Sequence, residues 1–150
     1  MSEIIQGVEV LNLNKISVEG GNIFHILKSS DKNFFSFGEA YFSEIDNQYI
    51  KGWKMHTRMY MNLTVAYGAV KFVLYDDRPK SRTFMNFNEF ILDRSENYKR
   101  LTISPGIWFA FQGIKNFSTS IVLNVGNIEH DQDEQKKIDL RKINYKWDSI

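Results

Sequence analysis

Gly68-Ala69-Val70-Lys71-Phe72-Val73-Leu74-Tyr75, running into Asp76-Asp77-Arg78-Pro79, is the stretch that decides the fold class. In an extended chain successive side chains alternate between faces, so Val70, Phe72 and Leu74 share one side and Lys71, Val73 and Tyr75 the other. Glycine opens the stretch and an Asp-Asp-Arg-Pro turn signal closes it, which bounds one short strand. The same grammar recurs on both sides. Residues 33–45 alternate, with Phe35, Phe37 and Glu39 on one face and Ser36, Gly38 and Ala40 on the other. Residues 62–67, 87–92, 100–103, 107–111 and 120–125 read as further strands, punctuated by Asn86, Asp93, Pro105, Gly106, Gly113 and Gly126. Short strands at regular spacing predict an all-β chain, an antiparallel barrel or jelly roll.

Composition agrees and narrows the function classes. The 150 residues fit one domain, 1–150, with no linker or internal repeat. Aromatic residues make up 15% of the chain against only 2 prolines, which favours sheet. A net charge of +1 offers no polyelectrolyte surface, so nucleic acid is not the expected partner. The absence of cysteine removes disulfides and thiolate metal sites. No basic-then-apolar leader opens the chain, and no apolar run approaches the roughly 20 residues of a membrane helix. The expectation is a cytoplasmic protein without membrane attachment.

The last stretch changes character. Glu129, His130, Asp131, Asp133 and Glu134 read as a solvated acidic turn, and basic residues follow from Lys136. Ile138, Leu140, Ile143, Tyr145 and Trp147 carry enough apolar surface to dock this segment on the barrel. His25, inside Ile23-Phe24-His25-Ile26-Leu27, reads as a core or pocket-edge histidine, and Asp76, Asp77 and Arg78 as a turn with a local ion pair. Lys54, His56 and Arg58 sit at alternating positions, so one strand directs all three the same way.

Several blocks together resemble the dTDP-4-dehydrorhamnose 3,5-epimerase family, the cupin-type nucleotide-sugar epimerases. Lys51-Gly52-Trp53-Lys54-Met55-His56 resembles the family's arginine-glycine-x-histidine strand. Gly68 to Arg78 is similar to its glycine-led strand and Asp-x-Arg turn, and Ser81-Arg82-Thr83-Phe84 to the Ser-Pro-Thr-Phe that follows. Residues 92–97 resemble its leucine-serine-x-glutamate-asparagine segment, and 101–111 its isoleucine-proline-x-glycine block. Residues 138–147 are similar to the segment that supplies an aspartate. The resemblance implies a cupin jelly roll that forms a homodimer and needs no cofactor. It would invert C3 and/or C5 of a nucleotide-linked 4-keto-6-deoxy sugar, in bacterial surface polysaccharide (lipopolysaccharide) synthesis. A sugar-nucleotide 3,4-ketoisomerase and a non-catalytic sugar-nucleotide-binding cupin are the alternatives.

On the same basis His56 is the expected base and Asp139 the carboxylate that orients it. Lys54, Arg58, Asn62, Glu39, Tyr41 and Trp108 are the expected substrate contacts. The chain departs from the family at the enolate-side lysine (Met61 or Asn62), at the second histidine (Phe109) and at the acid tyrosine (near Ile128). With a lone histidine there, no metal is expected, because a metal cupin needs about three nitrogen ligands plus a carboxylate.

Overall fold

The computed structural model describes residues 2–114 and 116–147. Its strands are β1 (Val8–Asn12), β2 (Lys15–Ile16), β3 (Ile23–Phe24), β4 (Glu39–Asp46), β5 (Ile50–His56) and β6 (Met61–Tyr67). They continue with β7 (Ala69–Tyr75), β8 (Phe87–Asp93), β9 (Lys99–Ile103), β10 (Trp108–Gly113), β11 (Thr119–Gly126) and β12 (Gln135–Lys137). Two five-stranded antiparallel sheets face each other, ordered β1-β9-β6-β11-β4 and β12-β5-β10-β7-β8, with β2-β3 as a separate hairpin. This is the all-β jelly roll that the strand pattern predicts. No helix among the described residues is long and apolar enough to cross a membrane.

The alternation in β7 does what the sequence implies. Val70, Phe72 and Leu74 are fully buried between the sheets, beside Leu63, Val65 and Val122. Each such side chain removed from water contributes roughly 1.5–3 kcal/mol. The opposite face of β7 is covered as well. Val73 and Tyr75 join Trp53, Trp108 and Ala110 under Ile138, Leu140, Ile143, Tyr145 and Trp147 of the C-terminal segment. That segment therefore docks on the outside of the second sheet. It also roofs Lys71, whose ammonium lies 5.3 Å from the Tyr145 ring and 3.8 Å from Glu89. The turn from β6 to β7 needs glycine, because Gly68 has φ +78° and a Cβ there would sit 2.2 Å from Ser120 Oγ.

The Asp76–Arg78 ion pair forms as expected. Asp76 is wholly buried, and its carboxylate accepts from Arg78 Nε (2.7 Å), Ser81 Oγ (2.6 Å) and Thr83 Oγ1 (2.7 Å). Burial pushes this carboxyl up, but those donors outweigh it and hold its pKa far below the ordinary range. Asp76→Ala strands several donors, and we expect a loss of roughly 3 kcal/mol in urea-unfolding free energy. Because the folded pKa is depressed, the contribution of Asp76 is fully present above about pH 4 and is lost as pH falls below it.

Residues 33–38 are not strand; only Glu39–Asp46 of that region pairs, as the edge strand β4. The chain before β4 lies instead against the outside of the first sheet. Tyr98 Oη donates to His25 O, Arg100 Nη1 to Ile26 O, and Asn62 Nδ2 to Asn33 O.

Candidate functional site

A cavity of about 480 Å³ opens between the two sheets. Tyr41 and Ser43 of β4, Met61 of β6 and Asn124 of β11 form one wall. The other wall is β5, from Ile50 to Lys54, with Phe109 and Phe111 of β10 and Lys137 of β12. β5 turns Lys54 inward, whereas Trp53 and Met55 pack outward under the C-terminal segment; a register shift against β10 puts Lys51, opposite Phe111, on the cavity side too and turns Gly52 toward Leu140. His56 is the next inward position beyond Lys54. Its ring lies nearly parallel to Phe109, with centroids 6.1 Å apart.

The carboxylate on His56 is Glu134, which is a correction to the expected Asp139. Nδ1 of His56 hydrogen-bonds Glu134 Oε1, and both side chains are buried. Glu134 Oε2 accepts the backbone amides of Arg58 (3.1 Å) and Met59 (3.2 Å). Asp139 is half-exposed and caps the 3-10 turn Leu140–Lys142, accepting from the Arg141 amide at 2.9 Å. The reason is local: β12 pairs Gln135 with His56, so the residue just before β12 reaches the imidazole and one five residues later does not. The acidic run expected to face water thus delivers one carboxylate into the protein. Asp131 holds it there by capping the turn Gln132–Glu134.

This arrangement has a clear electrostatic sense. Burial pushes the His56 pKa below its ordinary value, and the hydrogen bond it donates to Glu134 only partly offsets that. Burial raises Glu134, but hydrogen bonds from His56 and from the Arg58 amide outweigh it and keep its pKa low. The pair is therefore a neutral imidazole on an ionised carboxylate. With Nδ1–H committed to Glu134, Nε2 keeps its lone pair. That nitrogen is buried without a hydrogen-bond partner among the described residues. A buried acceptor left unpaired in this way is poised to receive a proton.

The other expected contacts divide. Lys54 and Tyr41 line the cavity. Glu39 lies at the start of β4, near enough for its charge to act on both. Arg58 does not follow Lys54 and His56, because β5 ends at His56; its guanidinium is exposed and pairs with Asp131 at 2.7 Å. Asn62 faces away from the cavity, since its neighbour Met61 faces in, and it is tied to Asn33 and Thr102. Trp108 is likewise on the outer face, donating to Asp77 at 2.9 Å, while Phe109 takes the cavity. Counted from Gly52, the histidine place of the strand motif is Lys54, and His56 lies two residues further on. Tyr49, Lys51, Asn124 and Lys137 complete the lining without having been singled out from sequence. Among the described residues no group of three or more His, Asp or Glu could hold a metal ion.

Comparison with known proteins places this geometry. No protein-family model and no curated protein matches the chain. Among solved structures, the chain is similar to a dTDP sugar isomerase from Desulfovibrio desulfuricans G20. The two share 33% identity over 95% of this chain and 92% of that one, with a TM-score of 0.91. A dTDP-4-dehydrorhamnose 3,5-epimerase from Elizabethkingia anophelis superposes with a TM-score of 0.76 at 13% identity, over 92% of this chain and 78% of that one. A sugar 3,4-ketoisomerase from Thermoanaerobacterium thermosaccharolyticum, in complex with TDP, gives 0.72 at 17% identity, over 89% of each. The latter two bear on the fold alone.

Proposed function

Because the chain belongs to the cupin family of dTDP-sugar isomerases and epimerases, we propose that it is an enzyme moving a proton on a nucleotide-linked 4-keto-6-deoxy sugar. The reaction is inversion at C3 and/or C5, beside the keto carbon, in bacterial surface polysaccharide synthesis. One observation carries this reading: a buried imidazole oriented by an ionised carboxylate, its free nitrogen unpaired, stacked on the Phe109 that lines a cavity of about 480 Å³. Such a group is a general base kept neutral at working pH.

The sugar ring would lie against Lys54, Met61 and Phe109, with His56 taking the proton. Tyr41 stands on the opposite wall, and burial raises its pKa, so it stays protonated and can return a proton to the other face of the carbanion. Lys51 and Lys137 at the same cavity would meet the diphosphate. The enzyme would work in the cytoplasm as a homodimer. The exposed Phe37 and Phe42, on and beside the edge strand β4, are the surface a second copy would cover.

The similarity to a dTDP sugar isomerase favours a second reading, a 3,4-ketoisomerase, which needs the same base. One experiment separates them. Incubation with dTDP-4-keto-6-deoxyglucose in deuterium oxide, followed by NMR, should show deuterium entering the ring beside the keto carbon. Inversion with the keto group retained marks an epimerase, and a keto group moved to C3 marks the isomerase. A substrate left without deuterium rejects both and leaves a binding protein.

A further inference from the structure

Ser43 and Asn124 form a pair in the cavity wall that the base-and-acid scheme does not use. Asn124 of β11 lies opposite Tyr41 of β4, and Ser43 follows Tyr41 by two residues, so all three face the cavity. Asn124 is only 6% exposed. Its Nδ2 donates to Ser43 Oγ (3.1 Å), Val122 O (3.2 Å) and Tyr41 O (3.4 Å). Backbone carbonyls only accept, so these contacts fix which end of the amide carries the hydrogens. Asn124 Oδ1 is then left without a donor from any described residue. Ser43 Oγ already accepts from Asn124, which leaves its own O–H to donate. Stitching β4 to β11 needs only the NH2, and a buried acceptor left idle is unfavourable.

A fixed acceptor beside a free donor selects its ligand group by chemistry. A phosphate or keto oxygen only accepts, and would set a lone pair against Asn124 Oδ1. A hydroxyl does both, giving its proton to Asn124 Oδ1 while accepting from Ser43. Position narrows the choice further. Tyr41 marks the level of proton transfer, and Lys51, the proposed diphosphate ligand, stands beside Ser43, with Nζ donating to Glu44 O at 2.5 Å. The pair therefore lies between the reacting carbons and the diphosphate. In a sugar nucleotide the carbon between C3 and the diphosphate-bearing C1 is C2. The C3 hydroxyl changes face when C3 inverts, and becomes the ketone when the keto group moves. The C2 hydroxyl stays both donor and acceptor through either reaction.

We propose that Ser43 and Asn124 bind the C2 hydroxyl of the sugar and make the enzyme specific for substrates that still carry it. The proposal rests on the keto-sugar reading above and on the diphosphate lying at Lys51. Neither residue touches a reacting atom. They fix the place of the ring, and so the C–H that His56 meets.

The test compares dTDP-4-keto-6-deoxyglucose with its 2-deoxy counterpart, reading kcat/KM for deuterium exchange by NMR. Wild type should favour the 2-hydroxy substrate by about 10- to 100-fold, the worth of a buried acceptor left unpaired. Asn124→Leu, checked for folding by circular dichroism, should bring that ratio to within about threefold by slowing the 2-hydroxy substrate alone. Ser43→Ala, which removes one oxygen from a half-buried site, should lower the ratio in part, and decides the matter if the leucine variant fails to fold. Calorimetric affinity for dTDP itself should stay near wild type in both variants. Equal turnover of the two substrates by wild type overturns the proposal, as does a ratio that both variants preserve. Weakened dTDP binding in the variants overturns it in favour of a contact to the nucleotide. If neither substrate exchanges, the proposed function falls. The pair is then judged by the calorimetric affinities of wild type for dTDP-glucose and dTDP-2-deoxyglucose, where equal values overturn it and a preference for the 2-hydroxy sugar upholds it.

Discussion

His56→Asn is expected to slow deuterium exchange into the keto-sugar by about two to four orders of magnitude, the usual worth of a positioned base. Asparagine can keep a donor toward Glu134, so the fold should survive and the loss falls on proton transfer. The wild-type pH profile carries a matching signature. The folded pKa of His56 lies below its ordinary value of about 6.5, so the imidazole is already neutral at pH 7. Exchange should therefore stay flat through neutrality and fall only as pH drops below about 6.5 through the folded value. Stability follows the same sign. Between the folded and unfolded pKa values the unfolded chain binds more protons, so stability is lost as pH falls through that window. NMR exchange rates for wild type and His56→Asn across pH 5–8 check both points. An unchanged rate in the variant would remove His56 from the chemistry.

The fold was legible because its signal is local. β7 alternates without a break, Val73 and Tyr75 of its outward face pack under another segment, and that segment announces itself through Ile138, Leu140, Ile143, Tyr145 and Trp147. Half of the site was legible for the same reason: Lys54, His56 and Tyr41 lie on strands whose alternation turns them inward. The remainder depends on facts that no window of sequence carries. Arg58 leaves the inward face because β5 stops two residues earlier. Trp108 and Phe109 are adjacent aromatics, and only the pairing with β5 and β7 decides which one meets the cavity. Asn62 is buried by Asn33, from a stretch that alternates like a strand yet runs as a loop over the first sheet. Glu134 sits in an acidic run of the kind that faces water. It is buried only because β12 pairs with a strand nearly eighty residues earlier in the chain.

Glu134 therefore separates the geometry from the family pattern most sharply. In Glu134→Gln the side-chain oxygen can still accept the amides of Arg58 and Met59, which leaves the new NH2 facing His56 Nδ1. That nitrogen must then become the acceptor, so the proton moves to Nε2 and the base is switched off. Activity should fall about as far as in His56→Asn, by orders of magnitude. Glu134→Ala goes further, leaving the imidazole and two backbone amides without their shared acceptor, and should lower the unfolding free energy by about 3–5 kcal/mol. The wild-type carboxylate has a depressed pKa, so its contribution is complete above about pH 4.3 and disappears as pH falls below that value. The control is Asp139→Ala, which removes an exposed cap bonded to Arg141 and should leave both exchange and the urea midpoint close to wild type. If Asp139→Ala abolished exchange while Glu134→Gln spared it, the carboxylate that orients the base would be the one the family pattern implies and not the one that touches His56.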